Sequence, residues 1–471
     1  MELGTDVPIP EKEHIGLQYR QSEGADRDES RVASPTASTQ NKDLGPDPEK
    51  ALPPPDEHRM QNEKSDNDKD KVDWEGSSAN PHNWSWSRRI WQLANVAMLG
   101  WLVTFATSVY TPGYPQVAER FGVSGTAAIL GLSLFTFGLG FGPVLGAPLS
   151  ETFGRHIVYQ SSLLVFMLFT LGAGFAQSYG TLVACRFLAG MVGGPVLAVG
   201  GGSIADLFPI HIRGTAAAFF LYAPFLGPAL GPIIGGFVAQ YENWRWTQWV
   251  ILFAGVPIFL ATFTISETYQ KIIVKRLAKK QGKPDPILEP KGGAWLKIMV
   301  TVTLLRPLHM LFTEPIVAAL SIYTAFAFAV LFSFFAAFPV VFGGIYSFDR
   351  SQTGLTFIAI GLGVTLGLLT NIAIDRKVYL KIYRRTRAEG GSMVPPEHRL
   401  YAAMMGSFGI SIGLFWFAWT ARHSVHWISP VIAAIPFAWG NLCVFVSTLL
   451  GLTASLPSQL RRRYRVHVED T

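Results

Sequence analysis

Ten apolar stretches of about 20 residues recur along the second four fifths of the chain, and they leave few choices of fold. They run roughly over 91–110, 127–149, 157–176, 181–204, 215–238, 247–266, 316–338, 353–374, 401–420 and 428–451. A helix of about 20 apolar residues crosses the hydrocarbon core of a bilayer. In lipid every backbone N–H and C=O must find a partner within the protein, so these segments are expected to be helices. With 49% hydrophobic and only 15% charged residues, a large soluble enzyme is excluded and an all-α polytopic membrane protein is expected.

Loop charge sets the expected orientation. One set of loops carries Arg155, Arg213, the run Lys271–Arg306, the cluster Arg376–Arg387 and the tail Arg461–Arg465. The other set, holding Glu119/Arg120, Glu242/Arg245, Asp349/Arg350 and Arg422, is nearly neutral. Lysine and arginine favour the cytoplasm, so the first set and both termini are expected inside. The stretch to Glu75 carries 19 acidic and 10 basic residues in a chain of net charge +6, so an acidic tail precedes a basic body. That balance points to membrane topology and not to nucleic acid.

The expected organisation is a disordered cytoplasmic tail (1–85), a six-helix bundle (86–268), a cytoplasmic linker (269–314), a second bundle of four spans (315–452) and a basic cytoplasmic tail (453–471). Two bundles joined by a long tether suggest a repeat architecture. The tail lacks an apolar signal-peptide core, so the first span is expected to direct insertion. Asn83-Trp84-Ser85 matches a glycosylation sequon, placed by this topology in the cytoplasm. Cys185 and Cys443 fall in apolar runs and read as small packing residues. Neither a metal nor another cofactor is expected.

Residues 226–236 read LGPALGPIIGG. Proline and glycine are poor helix formers in water, but lipid changes the balance. Bilayer helices gain no hydrophobic drive from associating, so close contact through small residues matters. Gly227, Gly231 and Gly235 recur every four residues, as do Gly138, Gly142 and Gly146, then Gly190, Gly194, Ala198 and Gly202, and then Ala359, Gly363, Gly367 and Asn371. Such stripes mark helices that pack closely, and the paired Gly-Pro steps mark helices that bend or slide.

These motifs carry a resemblance. GPALGPIIGG is similar to the antiporter motif of the drug:proton antiporter branch of the major facilitator superfamily, with Gly227, Gly231, Pro232, Gly235 and Gly236 in matching positions and Ala218 in place of an upstream glycine. APLSETFGRH resembles the family's cytoplasmic signature through Leu149, Glu151, Gly154 and Arg155. Ala147, Thr152 and His156 depart from it. RFLAGMVGGP resembles the arginine motif of span four, with Arg186 and Gly190 in place. Flanking text such as DWEGSSANPHNWSWSRR and AVGGGSIADLFP is similar to fungal multidrug and polyamine-type members.

The resemblance implies an ion pair Arg155–Asp206 at the cytoplasmic gate, and a role for Glu151 in capping a helix of the opposite bundle. It implies that Arg186 couples protons or substrate, and the cost of a charge in lipid requires it to face the bundle interior. Thr104, Thr107 and Tyr110 of span one are candidate hydrogen-bonding contacts. Tyr323, Phe326, Phe334 and Phe338 of span seven are candidate walls of a cavity for flat apolar compounds, with lipid-facing packing as the competing use.

No carboxylate lies near the middle of any span; Glu267, Glu314 and Asp375 stand at span ends. A neutral or weakly charged small organic molecule is therefore a better expected cargo than a polycation, and the proton carrier stays open among Glu151, Asp206 and Arg186. The family has twelve spans, so spans eleven and twelve are expected to be missing, leaving Glu151 and the Gly138–Gly142–Gly146 face without partners. The expected function is proton-coupled efflux of drugs, toxins or secondary metabolites by alternating access, in the plasma membrane or, alternatively, the vacuolar membrane. A non-transporting sensor or inactive relic, and a uniporter, are the alternatives. No nucleophile constellation suggests an enzyme, and the sequence does not decide self-association.

Overall fold

The computed structural model describes residues 74–282, 305–391 and 394–469. The expected disorder of residues 1–73, the middle of the linker and residues 470–471 lie outside the described residues.

Among the described residues nine helices are long and apolar enough to cross a membrane. The first bundle contains α1 (Trp86–Ser108), the short α2 (Tyr114–Phe121), α3 (Gly125–Phe153), α4 (Arg155–Gly174), α5 (Tyr179–Gly193), α6 (Pro195–Leu207), α7 (Ile210–Tyr241) and α8 (Trp246–Thr262). Between the bundles lie α9 (Gln270–Lys280) and α10 (Arg306–Thr313). The second bundle contains α11 (Pro315–Phe338), α12 (Arg350–Leu355), α13 (Ile358–Ile374), α14 (Leu380–Ala388), α15 (Tyr401–Thr420) and α16 (Ile428–Glu469). All ten expected spans coincide with helices, and the sixth is the 17-residue α8.

Local chemistry explains the breaks. Expected span four is two helices, α5 and α6, because Pro195 cannot donate to the ladder and starts a new helix at its first position. By contrast α7 runs unbroken through Pro224, Pro228 and Pro232. Next to this proline-rich stretch, Ser108 Oγ of α1 donates to Gly227 O at 3.4 Å, tying α7 to its neighbour. Ser124 and Ser178 cap α3 and α5 by accepting from Ala127 N and Thr181 N.

Each glycine stripe finds its partner inside one bundle. A methyl on Gly227, Gly231 or Gly235 would fall on Thr104 or Ser108 of α1 or on the carbonyl of Val109, which follows it. Gly363 and Gly367 meet α16 at Ile435 and Leu442. The expectation that the Gly138–Gly142–Gly146 face lacks a partner is overturned. All three are buried, against Phe187, Met191 with Gly194, and Pro195 of α5 and α6. The opposite face of α3, with Phe137 and Phe141 more than half exposed, is the open one. Backbone-to-backbone approach needs the missing side chains, so glycines turn inward while aromatics remain outside. The stripes therefore weld helices within bundles; only Gly236, against Arg350 and Gly354, reaches from one bundle to the other at the motif.

Two further boundaries differ from expectation. Residues 74–85, placed in the tail by composition, are ordered: Trp84 is buried, Asn80 accepts from His82 N, and the Asn83 amide donates to the carbonyls of Glu75 and Ser77. Asparagine side chains supply the turn contacts that apolar content does not. At the far end, α16 continues as helix to Glu469, through the segment expected as a tail.

Candidate functional site

Arg186 is 1% exposed and faces the bundle interior. Its guanidinium donates to Ala106 O (2.9 Å), Thr107 O (3.2 Å) and Gly131 O (3.1 Å). Helix α1 ends at Ser108, so the carbonyls of Ala106 and Thr107 belong to the last turn and have no amide of their own helix to meet. A cation at that negative pole satisfies them and the helix dipole together. The same guanidinium sits 4.7 Å from the Tyr110 ring and 4.5 Å from the Phe135 ring. One fork of donors thus ties α1, α3 and α5.

Tyr110 forms the other side of this knot. It is fully buried, its hydroxyl donates to Ala128 O at 2.8 Å, and its ring lies on Gly131. Its far face is the wall of a cavity of about 640 Å³ between the turn after α1, the start of α2 and α3 of the first bundle and α11 of the second. Phe332, Phe335, Phe137 and Phe141 contribute aromatic walls, and Thr111, Ser133 and Thr136 contribute hydroxyls. The Thr111 hydroxyl is buried with no hydrogen-bond partner among the described residues. None of the lining side chains is charged. An aromatic cavity with few polar groups, one of them the unpaired Thr111 hydroxyl, suits a flat, apolar or amphipathic molecule.

The other sequence-derived contacts lie elsewhere. The hydroxyls of Thr104 and Thr107 return to carbonyls of their own helix, Gly100 and Trp101 for the first and Val103 for the second. Tyr323 and Phe326 are exposed, and Tyr323 pairs with Ser407 at 3.0 Å. Phe334 and Phe338 are buried in an aromatic cluster with Phe417 and do not line the cavity. Their neighbours Phe332 and Phe335 do.

At the basic end of the first bundle, Arg155 Nε meets Asp206 Oδ2 at 3.0 Å. Its Nη1 donates to Ser150 Oγ, and Gly202 leaves room beneath the guanidinium. Glu151 is exposed at the end of α3 and makes no ion pair among the described residues. The carboxylate that acts here is Glu267. It accepts from the backbone N–H of Arg155 (3.0 Å) and His156 (3.3 Å), capping α4, and from Thr268 N (3.0 Å) and Tyr269 N (2.9 Å). Gly154, at φ 100°, passes directly under it, a conformation and a space that only glycine offers.

A second ion pair, internal to the second bundle, is bonded to α7 of the first. Asp375 Oδ1 meets Arg399 Nη1 at 2.9 Å, with side chains 10% and 8% exposed. Asp375 Oδ2 accepts from Thr215 at 2.7 Å, and Arg399 Nη2 donates to Ile210 O at 3.2 Å, both on α7. Arg399 also stacks on Tyr379 at 3.4 Å. At the opposite end of α7, Arg350 Nη1 donates to Ala239 O at 3.0 Å. One helix of the first bundle is thus held at both ends by the second: an anion near its positive pole, a cation at its negative pole. Midway, Tyr222 meets Thr365 at 3.2 Å.

Sequence reading missed Glu267 and Arg399. Glu267 was visible only as an acid at a span end, and Arg399 as one more base in a basic loop. Both act on segments more than 100 residues away, which no local pattern reveals.

Two helical bundles, small-residue stripes, a buried arginine knot and an inter-bundle cavity define an all-α polytopic membrane protein. The sequence profile of the Major Facilitator Superfamily matches residues 96–464, and the chain belongs to that family. It is 40% identical over 413 residues to Polyamine transporter 4 of Saccharomyces cerevisiae, covering 82% of this chain and 62% of that protein. It is 39% identical over 355 residues to Efflux pump FUBT of Fusarium oxysporum, covering 74% and 59%. The multidrug transporter mdrA of Aspergillus fumigatus is 37% identical over 388 residues, covering 80% and 63%. The chain thus spans about three fifths of the length of these relatives. Among solved structures, the xylose transporter XylE from E. coli in a partially occluded inward-open conformation matches with a TM-score of 0.55 at 16% identity, over 78% of this chain and 87% of that one. That likeness concerns the fold.

Proposed function

We propose that the chain is a secondary transporter that exports small organic molecules by alternating access, driven by inward movement of protons. The observation that carries this reading is the uncharged aromatic cavity between the bundles, backed by the Tyr110–Arg186 knot. Cargo in that cavity touches both bundles, and the wall it touches is held by the fully buried Arg186. Relatives named as efflux pumps and a multidrug transporter support the reading. The neutral lining favours a flat, uncharged or weakly charged cargo over a polyamine. Glu151, Arg155, Asp206 and Glu267 occupy the gate at the basic end. Positive loops support cytoplasmic termini, and the membrane proposed is the plasma membrane, with the vacuolar membrane as the alternative.

Inside-out vesicles carrying the full chain test it. An imposed inward-acid gradient is expected to drive uptake of a flat amphipathic dye, abolished by an uncoupler. Phe335→Ala, which removes a cavity wall, is expected to weaken uptake of aromatic cargo. Absence of gradient-driven movement across a panel of dyes and metabolites would overturn the proposal.

A further inference from the structure

A second apolar cavity, of about 530 Å³, lies away from the central one. Its walls are α1, the first three turns of α7, and the segment Asp375–Leu380. The floor is made of small residues, Ala94, Ala97 and Ala216, while Ile90 and Phe219 on the edges are each 46% exposed. The groove therefore opens sideways, toward the bilayer. Trp86, 56% exposed at its rim, is an amphipathic ring of the kind that sits at the membrane–water interface. From Trp86 to Ala97 the helix offers about 16 Å of apolar length.

The end of this groove is polar and basic. Arg376 and His211 line it. Arg376 is exposed and makes no hydrogen bond or ion pair among the described residues. Lys377, Lys381 and Arg384 follow, all exposed, on the next turns. Asp375 also reaches the groove, but its oxygens are committed to Arg399 and Thr215. The uncommitted charge at this end is positive. A free anion would use only the rim and leave the apolar walls to other molecules. A basic pocket between membrane helices, continuous with an acyl-length apolar groove, is the chemistry that recognises an anionic lipid headgroup.

We propose that this groove holds an anionic phospholipid from the leaflet at the basic end of the bundles, with its phosphate at Arg376 and His211 and an acyl chain along α1. The occupant would abut Asp375 and Thr215, the residues that join the bundles there. The inference rests on the groove alone and is independent of the proposed transport.

Native mass spectrometry of the purified full chain in detergent tests it. Phosphatidylserine, phosphatidylglycerol and phosphatidylcholine with matched chains are titrated, with and without millimolar inorganic phosphate. Anionic lipids are expected to be retained at least about fivefold more than phosphatidylcholine, the worth of one interfacial arginine. Arg376→Gln is expected to remove that preference. Ala94→Trp, which fills the groove from an exposed helix face, is expected to remove retention of both lipid types. Arg385→Gln, outside the groove, is expected to change neither. Elution volume and helicity check that each variant is folded. Equal retention of serine and choline lipids by the unmodified chain overturns the proposal, as does full anionic retention in both groove variants. Displacement by inorganic phosphate overturns it too, because it assigns the rim to a free anion.

Discussion

Replacing Asp375 by asparagine is expected to loosen the bundles from their basic end. The carboxylate holds Arg399 at 2.9 Å and Thr215 at 2.7 Å, and Arg399 in turn holds Ile210 O. Both charged side chains are about nine tenths buried. Removing one partner of a buried ion pair costs about 3–5 kcal/mol, because the other charge stays desolvated and unpaired. The pair itself lies within the second bundle, and what crosses to the first are the bonds from Thr215 to Asp375 and from Arg399 to Ile210 O; each involves a charged group and is worth about 1.5–3 kcal/mol, so about 3 kcal/mol falls on the joined arrangement if both are lost. At that figure, the ratio of joined to separated states falls by about 100-fold. The assay is alkylation of a cysteine placed at Thr365, which pairs with Tyr222 midway along the same interface. Cys185 and Cys443 are first replaced by serine and alanine. Asp375→Asn and Arg399→Gln are each expected to raise the labelling rate at Thr365→Cys by one to two orders of magnitude, at about that scale of destabilisation. The double variant is expected to fall short of their sum, with a coupling of about 1–3 kcal/mol. Rates within about twofold of the parent in both single variants would refute the reasoning, since a pair of that burial cannot be broken at no cost.

Other consequences follow from the same geometry. Arg186→Lys keeps the charge but loses the planar fork that reaches three carbonyls, so stability is expected to drop by about 2–4 kcal/mol, read as a lower melting temperature, with transport lost. Gly231→Ala puts a methyl on Ser108 and is expected to cost about 1–3 kcal/mol by forcing α1 from α7, whereas Gly140→Ala, facing open space, is expected to be tolerated in the same thermal assay. Glu267→Ala leaves four backbone N–H groups without their acceptor and is expected to speed hydrogen exchange at Arg155 and His156, with Glu267→Gln intermediate. Asp349 caps α12, and its bonds from Gln352 and Ser351 lower its pKa below the ordinary 3.8. Its folded pKa being depressed, its contribution is complete above 3.8 and is lost as pH falls through the lower folded value. Exchange protection of Arg350–Leu355 is expected to weaken there, and not in Asp349→Asn, which has nothing to titrate.

Much of the architecture was legible in the chain because lipid is a simple solvent. Long apolar runs must be helical there, so each of the ten expected spans meets a helix. Arg186 was legible for the same reason: a charge within a span must turn inward. Less was legible at the gate. Arg155 and Asp206 pair as the resemblance implies, but Glu151, expected to cap a helix of the opposite bundle, is exposed, and Glu267 instead caps α4 of its own bundle after the chain reversal beyond α8. Span seven shows the limit of periodicity. Its aromatics are spread around the helix, and only the rotation of α11 in the fold separates Phe332 and Phe335, which line the cavity, from Phe334, which packs on Phe417 and Phe437.

Taken by itself, the order of residues determined which segments lie in lipid and which helix faces are smooth enough for close approach. Both are local properties: transfer of side chains from water, and the presence or absence of a Cβ. Which smooth face meets which helix, and which buried charge meets which carbonyl, was decided only in three dimensions. The Gly138–Gly142–Gly146 stripe went to α5 and α6, and Arg399 crossed to α7, because partner choice is a competition among all surfaces brought within reach, and that competition is resolved by packing rather than by neighbours in sequence.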